Sequence, residues 1–137
     1  MVFASASEYY ELFAAYTSET RLLHYFSTAL DMILPLVYGS ILLFALTYLT
    51  KNFKILRLLA FLPIITVGFD FLENAGIIIS ISHHMHIGEG LIYYLMATSN
   101  LKFVFLSLSL IAIIIAGVYR LIKNHKVKQI ISPSAKS

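Results

Sequence analysis

Residues 55–81 read ILRLLAFLPIITVGFDFLENAGIIISI. A stretch this long and apolar exceeds the roughly 20 residues an α-helix needs to cross the hydrocarbon core of a bilayer. After Arg57 its only charges are Asp70 and Glu73, with Asn74 beside them. A carboxylate near the middle of a span costs somewhere between about 3 and over 10 kcal/mol if lipid surrounds it. These side chains must face protein, so the helix requires neighbours. The fold to expect is a bundle.

Two further stretches supply them. Residues 29–50, ALDMILPLVYGSILLFALTYLT, carry one charge, Asp31, and residues 103–119 carry none. Composition agrees with lipid as the solvent: of 137 residues 59% are hydrophobic and 12% charged, with a mean hydropathy of +0.83. Soluble domains carry roughly 25% charge. The fold class predicted is all-α, an integral membrane helical bundle of about three transmembrane helices plus short interfacial helices, in one domain over residues 1–137.

Boundaries follow from local chemistry. Thr17-Ser18-Glu19 reads as an N-cap followed by a first-turn acid, which starts a long first helix over 18–50. Pro35 removes a backbone donor and should bend it. Residues 1–17 hold an interfacial helix with capping-box spacing at Ser5 to Glu8 and with Tyr9, Tyr10 and Tyr16 at the lipid–water boundary. The second span covers 55–81. Residues 82–100 are expected as an outer loop and interfacial helix broken by Gly88 and Gly90. Thr98, Ser99 and Asn100 then cap a third span over 101–122, and a basic tail fills 123–137.

Lys51, Lys54 and Arg57 join spans one and two, and Arg120, Lys123, Lys126, Lys128 and Lys136 follow span three. The other side carries Arg21 and Lys102. The positive-inside rule then puts the N-terminus outside and the C-terminus in the cytoplasm. A net charge of +3 borne beside apolar runs argues for orientation, not for a nucleic-acid partner. Met1 to Ala6 lacks a basic region and Glu8 and Glu11 follow, an order that does not suit a cleaved signal peptide.

This threading sets Asp31, Asp70, Glu73 and Lys102 within about 12 Å of the midplane, all on the outer side. Periodicity groups them further. Arg21, His24, Ser27, Thr28, Asp31, Pro35 and Tyr38 share a stripe on span one. Thr66, Asp70, Glu73 and Asn74 share one on span two, and Lys102, Ser109 and Ala116 recur every seven residues on span three. The candidate site is therefore Asp31, Tyr38, Asp70, Glu73, Asn74 and Lys102. Three carboxylates against one ammonium cannot all be ionised and paired. Either they bridge helices structurally, or the surplus is protonated, hydrated or holding a ligand.

His83, His84 and His86 have spacings that can share a metal, though the same cluster suits a solvated loop. Without cysteine, disulfides, thiol chemistry and iron–sulfur clusters are excluded. No phosphate loop, G-x-S-x-G elbow or H-E-x-x-H is present, and nothing in the sequence names a cofactor. The pattern Asp31-x-x-x-Pro35-x-x-Tyr38-Gly39, Asp70-Phe-Leu-Glu73-Asn74 and Leu101-Lys102-Phe103 resembles one in small uncharacterised bacterial multi-span membrane proteins. That resemblance implies only that these polar positions form one unit. Three functions stay open: an intramembrane site for a small molecule, lipid or ion; an accessory subunit of a larger membrane complex or a homo-oligomer; and a membrane-embedded enzyme acting on lipid.

Overall fold

The computed structural model describes residues 17–51, 56–82 and 88–131, together with Ser7, Glu8, Glu11, Ala14 and Ala15. The described residues form helices and no strand: α1 (Ser18–Asp31), α2 (Ile33–Thr50), a 3-10 turn (Leu56–Ala60), α3 (Phe61–Ser82) and α4 (Glu89–Ile131). Three helical units, Ser18–Thr50, Leu56–Ser82 and Glu89–Lys123, are long and apolar enough to cross a membrane. The chain is an all-α bundle of three such helices.

Each boundary has a local cause. Thr17 caps α1, its hydroxyl accepting from the Thr20 N–H at 3.3 Å while Thr20 Oγ1 accepts from the Thr17 N–H at 2.8 Å. The first helix is interrupted at Met32, three residues before Pro35. Proline offers no N–H to the carbonyl of Asp31 and its ring crowds that carbonyl, so the turn opens there. Pro63 sits in the first turn of α3, where a missing donor costs nothing.

The third span departs from expectation. α4 runs unbroken through 98–100 and on to Ile131, so the interfacial helix expected within 82–100 and the third span expected at 101–122 are one rod of roughly 64 Å. The basic tail expected from 123 is helical as far as Ile131. Thr98 is no cap: its hydroxyl bonds back to the carbonyls of Tyr94 at 2.9 Å and Leu95 at 3.0 Å. A hydroxyl that bonds within its own helix lets the helix continue where no water is present to compete. Gly90 does not break the chain either, because it lies in the first turn of α4, whose start follows Gly88. The interfacial helix expected within residues 1–17 falls largely outside the described residues.

Packing is antiparallel between α2 and α3 and between α3 and α4. Gly39 of α2 lies so close to α3 that an added Cβ would run into Val67 Cγ2. Gly76 of α3 makes the same kind of approach to Tyr94 and Leu95 of α4. Small residues at these crossings set helix separation where lipid supplies no hydrophobic drive between helices. Ile81, Ile92 and Leu95 form a compact apolar core, against which Tyr25, Ile77 and Met96 pack. The outer faces remain apolar and bare, with Leu23, Phe44, Ile114 and Leu121 all at least 65% exposed. In water this would be an aggregation surface; in a bilayer it is the expected exterior.

Candidate functional site

α3 carries Thr66, Asp70 and Asn74 on its buried face at successive four-residue steps, with Glu73 beside them. α4 turns Thr98, Ser99, Ser109, Ala112 and Ala116 toward the same interior. Lys102, one turn beyond Ser99, reaches across from α4 to both acids. Its Nζ lies 3.5 Å from Asp70 Oδ1 and forms an ion pair with Glu73 Oε2. From α2, Tyr38 donates its hydroxyl to Asp70 Oδ2 at 2.5 Å. Three separate helices therefore meet at four polar side chains. Lys102 is 17% exposed and the two acids 12% each, so little solvent or lipid reaches them.

Aromatic rings close the lower edge of this layer. Phe69 and Phe105, neighbours of Asp70 and Lys102 on their helices, stack with centroids 5.6 Å apart. Lys102 Nζ also stands 5.2 Å from the Phe103 ring, a favourable placement for a cation with few polar neighbours.

Asn74 adds a second polar level. Its Nδ2 is buried without a hydrogen-bond partner, and so is Ser99 Oγ on the facing helix. The register set by Glu73 against Lys102 and by Gly76 against Leu95 brings Asn74 to the level of Ser99. A buried polar group with no partner costs about 1–3 kcal/mol, so these two atoms are suited to a bound water or a ligand. Ser99 was not anticipated as a site residue. The signal was its position three residues before Lys102, on the same face, obscured by its equally good fit to a helix cap.

Asp31 does not join the others. It is exposed, and no described residue bonds to it. The buried line of the first helix runs through Thr28, Pro35 and Gly39, with half-buried Met32 in register. Asp31 sits 100° away from Met32, and the opening at Pro35 does not bring it back. Ser27 is exposed for the same reason, whereas Arg21 and His24 are half-buried. His83, His84 and His86 lie outside the described residues. Among the described residues no group of three His, Asp or Glu side chains is placed to hold a metal.

Elsewhere in the spans two uncharged hydroxyl contacts cross between helices, Tyr25 Oη with Ser82 Oγ at 2.5 Å and Tyr94 Oη donating to the Leu72 carbonyl at 2.9 Å, and many others stay within one helix. Ser80, Thr66, Thr50 and Ser109 each donate to the carbonyl four residues earlier at 2.6–3.0 Å. Against that background the Tyr38–Asp70–Glu73–Lys102 group is the place where polar chemistry passes between helices and stays charged.

Chemically, the layer sets two carboxylates against one ammonium. With all three ionised it carries one surplus negative charge. Taking up one proton or one monovalent cation makes it neutral. No protein-family model matches the chain, and no curated protein and no solved structure is significantly similar to it.

Proposed function

We propose that this chain is a small multi-pass membrane protein whose Asp70–Glu73–Lys102 layer, flanked by Tyr38 and Asn74, binds a small molecule, lipid headgroup or ion bearing one positive charge. The supporting observation is the charge imbalance: two buried carboxylates converge on one ammonium. A residual charge in a low-dielectric setting is expensive (several kcal/mol) and is relieved by a counter-charge. Tyr38 holds Asp70 in place, and the unspent polar atoms of Asn74 and Ser99 offer the ligand hydrogen bonds. Orientation belongs to the same reading. The basic flanks of residues 51–57 and 120–128 lie in the cytoplasm of a bacterium and the N-terminus lies outside.

The test is a cation titration of the purified full chain in lipid nanodiscs, following proton release and heat with sodium, potassium and a small primary amine. Asp70→Asn and Glu73→Gln should each abolish uptake of the single charge while helix content is retained. If both variants unfold and the native protein neither binds a cation nor exchanges a proton, the layer is a structural bridge. Since the chain lacks cysteine, single substitutions Ser7→Cys and Ser134→Cys report orientation. A membrane-impermeant thiol reagent should label only the first in intact cells.

A second reading is favoured by one observation. No more than a third of any span is buried within the chain, which leaves wide apolar faces for a homo-oligomer or a larger membrane complex. Mass measurement after extraction in mild detergent distinguishes a stoichiometric partner or repeated copy from a monomer sheathed only in lipid.

A further inference from the structure

At the opposite end from the apolar core, two basic side chains stand over one aromatic ring and a third is tied beside them. The Arg120 guanidinium lies 4.3 Å from the centroid of the Tyr48 ring, and Lys51 Nζ lies 5.6 Å from it. Arg120 also donates to the Tyr48 carbonyl at 3.3 Å, and Arg57 reaches back to the Lys51 carbonyl at 2.9 Å. These residues come from the end of α2, the 3-10 turn and α4, so tertiary folding assembles the group. Lys123 follows one turn beyond Arg120.

Among the described residues no acidic side chain lies at this end. All seven acidic residues lie elsewhere: Glu8, Glu11, Glu19 and Asp31 before this end, Asp70 and Glu73 in the middle layer, and Glu89 at the start of α4. Asp70 stands roughly 20 Å along the helix axis from Arg57, too far for an ion pair. The carbonyl end of α2 contributes about half a negative charge at most, against three cations. An outside anion completes the group.

Position says which anion. The three candidate spans end or begin at Thr50, Leu56 and Lys123, so the basic residues flank all three at one bilayer surface. Tyr48 marks that surface, as aromatic residues at span ends do. The phosphates of the lipid headgroups occupy this level.

We propose that Arg120 and Lys51 over the Tyr48 ring, with Arg57 tied to the Lys51 carbonyl, bind the phosphate-bearing headgroup of an anionic phospholipid. Guanidinium groups suit this task because their planar donors match phosphate oxygens in pairs. The tie to Tyr48 holds Arg120 in position before lipid arrives. This site is independent of the intramembrane layer and takes the opposite charge.

The experiment is native mass spectrometry of the full chain with equal concentrations of phosphatidylglycerol and phosphatidylcholine of matched acyl length. Phosphatidylglycerol should be retained preferentially. The preference should fall roughly fivefold for each basic charge removed, in Lys51→Gln and in the Lys51→Gln/Arg120→Gln pair. The single Lys51 variant keeps the test valid if the pair fails to fold, because Lys51 is exposed. Equal retention of the two lipids, or a preference unchanged in Lys51→Gln, overturns the proposal. So does its abolition by millimolar inorganic phosphate, which would mark a site for free anions.

Discussion

The two charged regions of this bundle solve opposite problems. In the middle layer, Asp70, Glu73 and Lys102 lie nearly buried on facing helices, and the protein supplies one ammonium as counter-charge to the two acids. At the basic end, Lys51, Arg57 and Arg120 sit against a ring and two carbonyls with no acid among them. Depth explains the difference. Inside hydrocarbon an unpaired charge costs several kcal/mol, whereas at the surface water, salt and headgroups screen it. Energy in the middle layer therefore resides in pairing, and removing one partner should be severe. At the rim each side chain contributes little to folding and is available to bind something else.

The sharpest way to break that contrast is Lys102→Met. It leaves two carboxylates facing one another without an ammonium, and the expected loss of stability is about 3–5 kcal/mol, read by denaturant titration in mixed micelles. Combining it with Asp70→Asn and Glu73→Gln removes the charge altogether and should recover most of the loss. A loss below about 1 kcal/mol in the single variant would mean that the layer is hydrated and the contrast with the rim is lost.

Tyr38→Phe tests the same layer more gently. It deletes the donor to Asp70 Oδ2 and keeps the ring. Hydrogen bonds to charged groups are worth about 1.5–3 kcal/mol in soluble proteins, but interhelical bonds within membranes average about 0.6. An intermediate loss of about 1–2 kcal/mol is expected. At the rim, Arg120→Gln should cost only about 0.5–1 kcal/mol in folding, the scale of an exposed cation–π contact. If its effect exceeds that of Tyr38→Phe, the basic end is structural.

Sequence periodicity resolves some of this architecture and blurs the rest for identifiable reasons. Thr17 as a cap and the three apolar runs are legible because capping and span length are local or one-dimensional properties. The common face of Thr66, Asp70 and Asn74 follows from spacing in an uninterrupted helix. Asp31 escapes the same reasoning because it and Met32 both follow Thr28 at near-helical spacing: the buried line continues through Met32, and one residue of difference rotates a side chain by 100°. Thr98 and Ser99 are ambiguous in principle: a hydroxyl can cap a new helix or bond back within an old one. The surrounding solvent decides, and a local triplet does not encode it. The gathering of Arg120 onto Tyr48 depends on the register between α2 and α4, which no short window contains.

The smallest effect is also the most discriminating in sign. Asp31 is exposed, and no described residue bonds to it, so ionising it gains nothing from the protein and loses hydration wherever lipid covers it. Asp31→Asn keeps the shape and removes the charge. Stability should stay within about 0.5 kcal/mol or rise, whereas the same exchange at Asp70 strips both Lys102 and Tyr38 of an ionised partner and should lower it. The comparison requires only two isosteric variants in the same detergent. A loss above about 1 kcal/mol for Asp31→Asn would show that this carboxylate is paired after all, and would bring it into the layer from which its phase on the helix separates it.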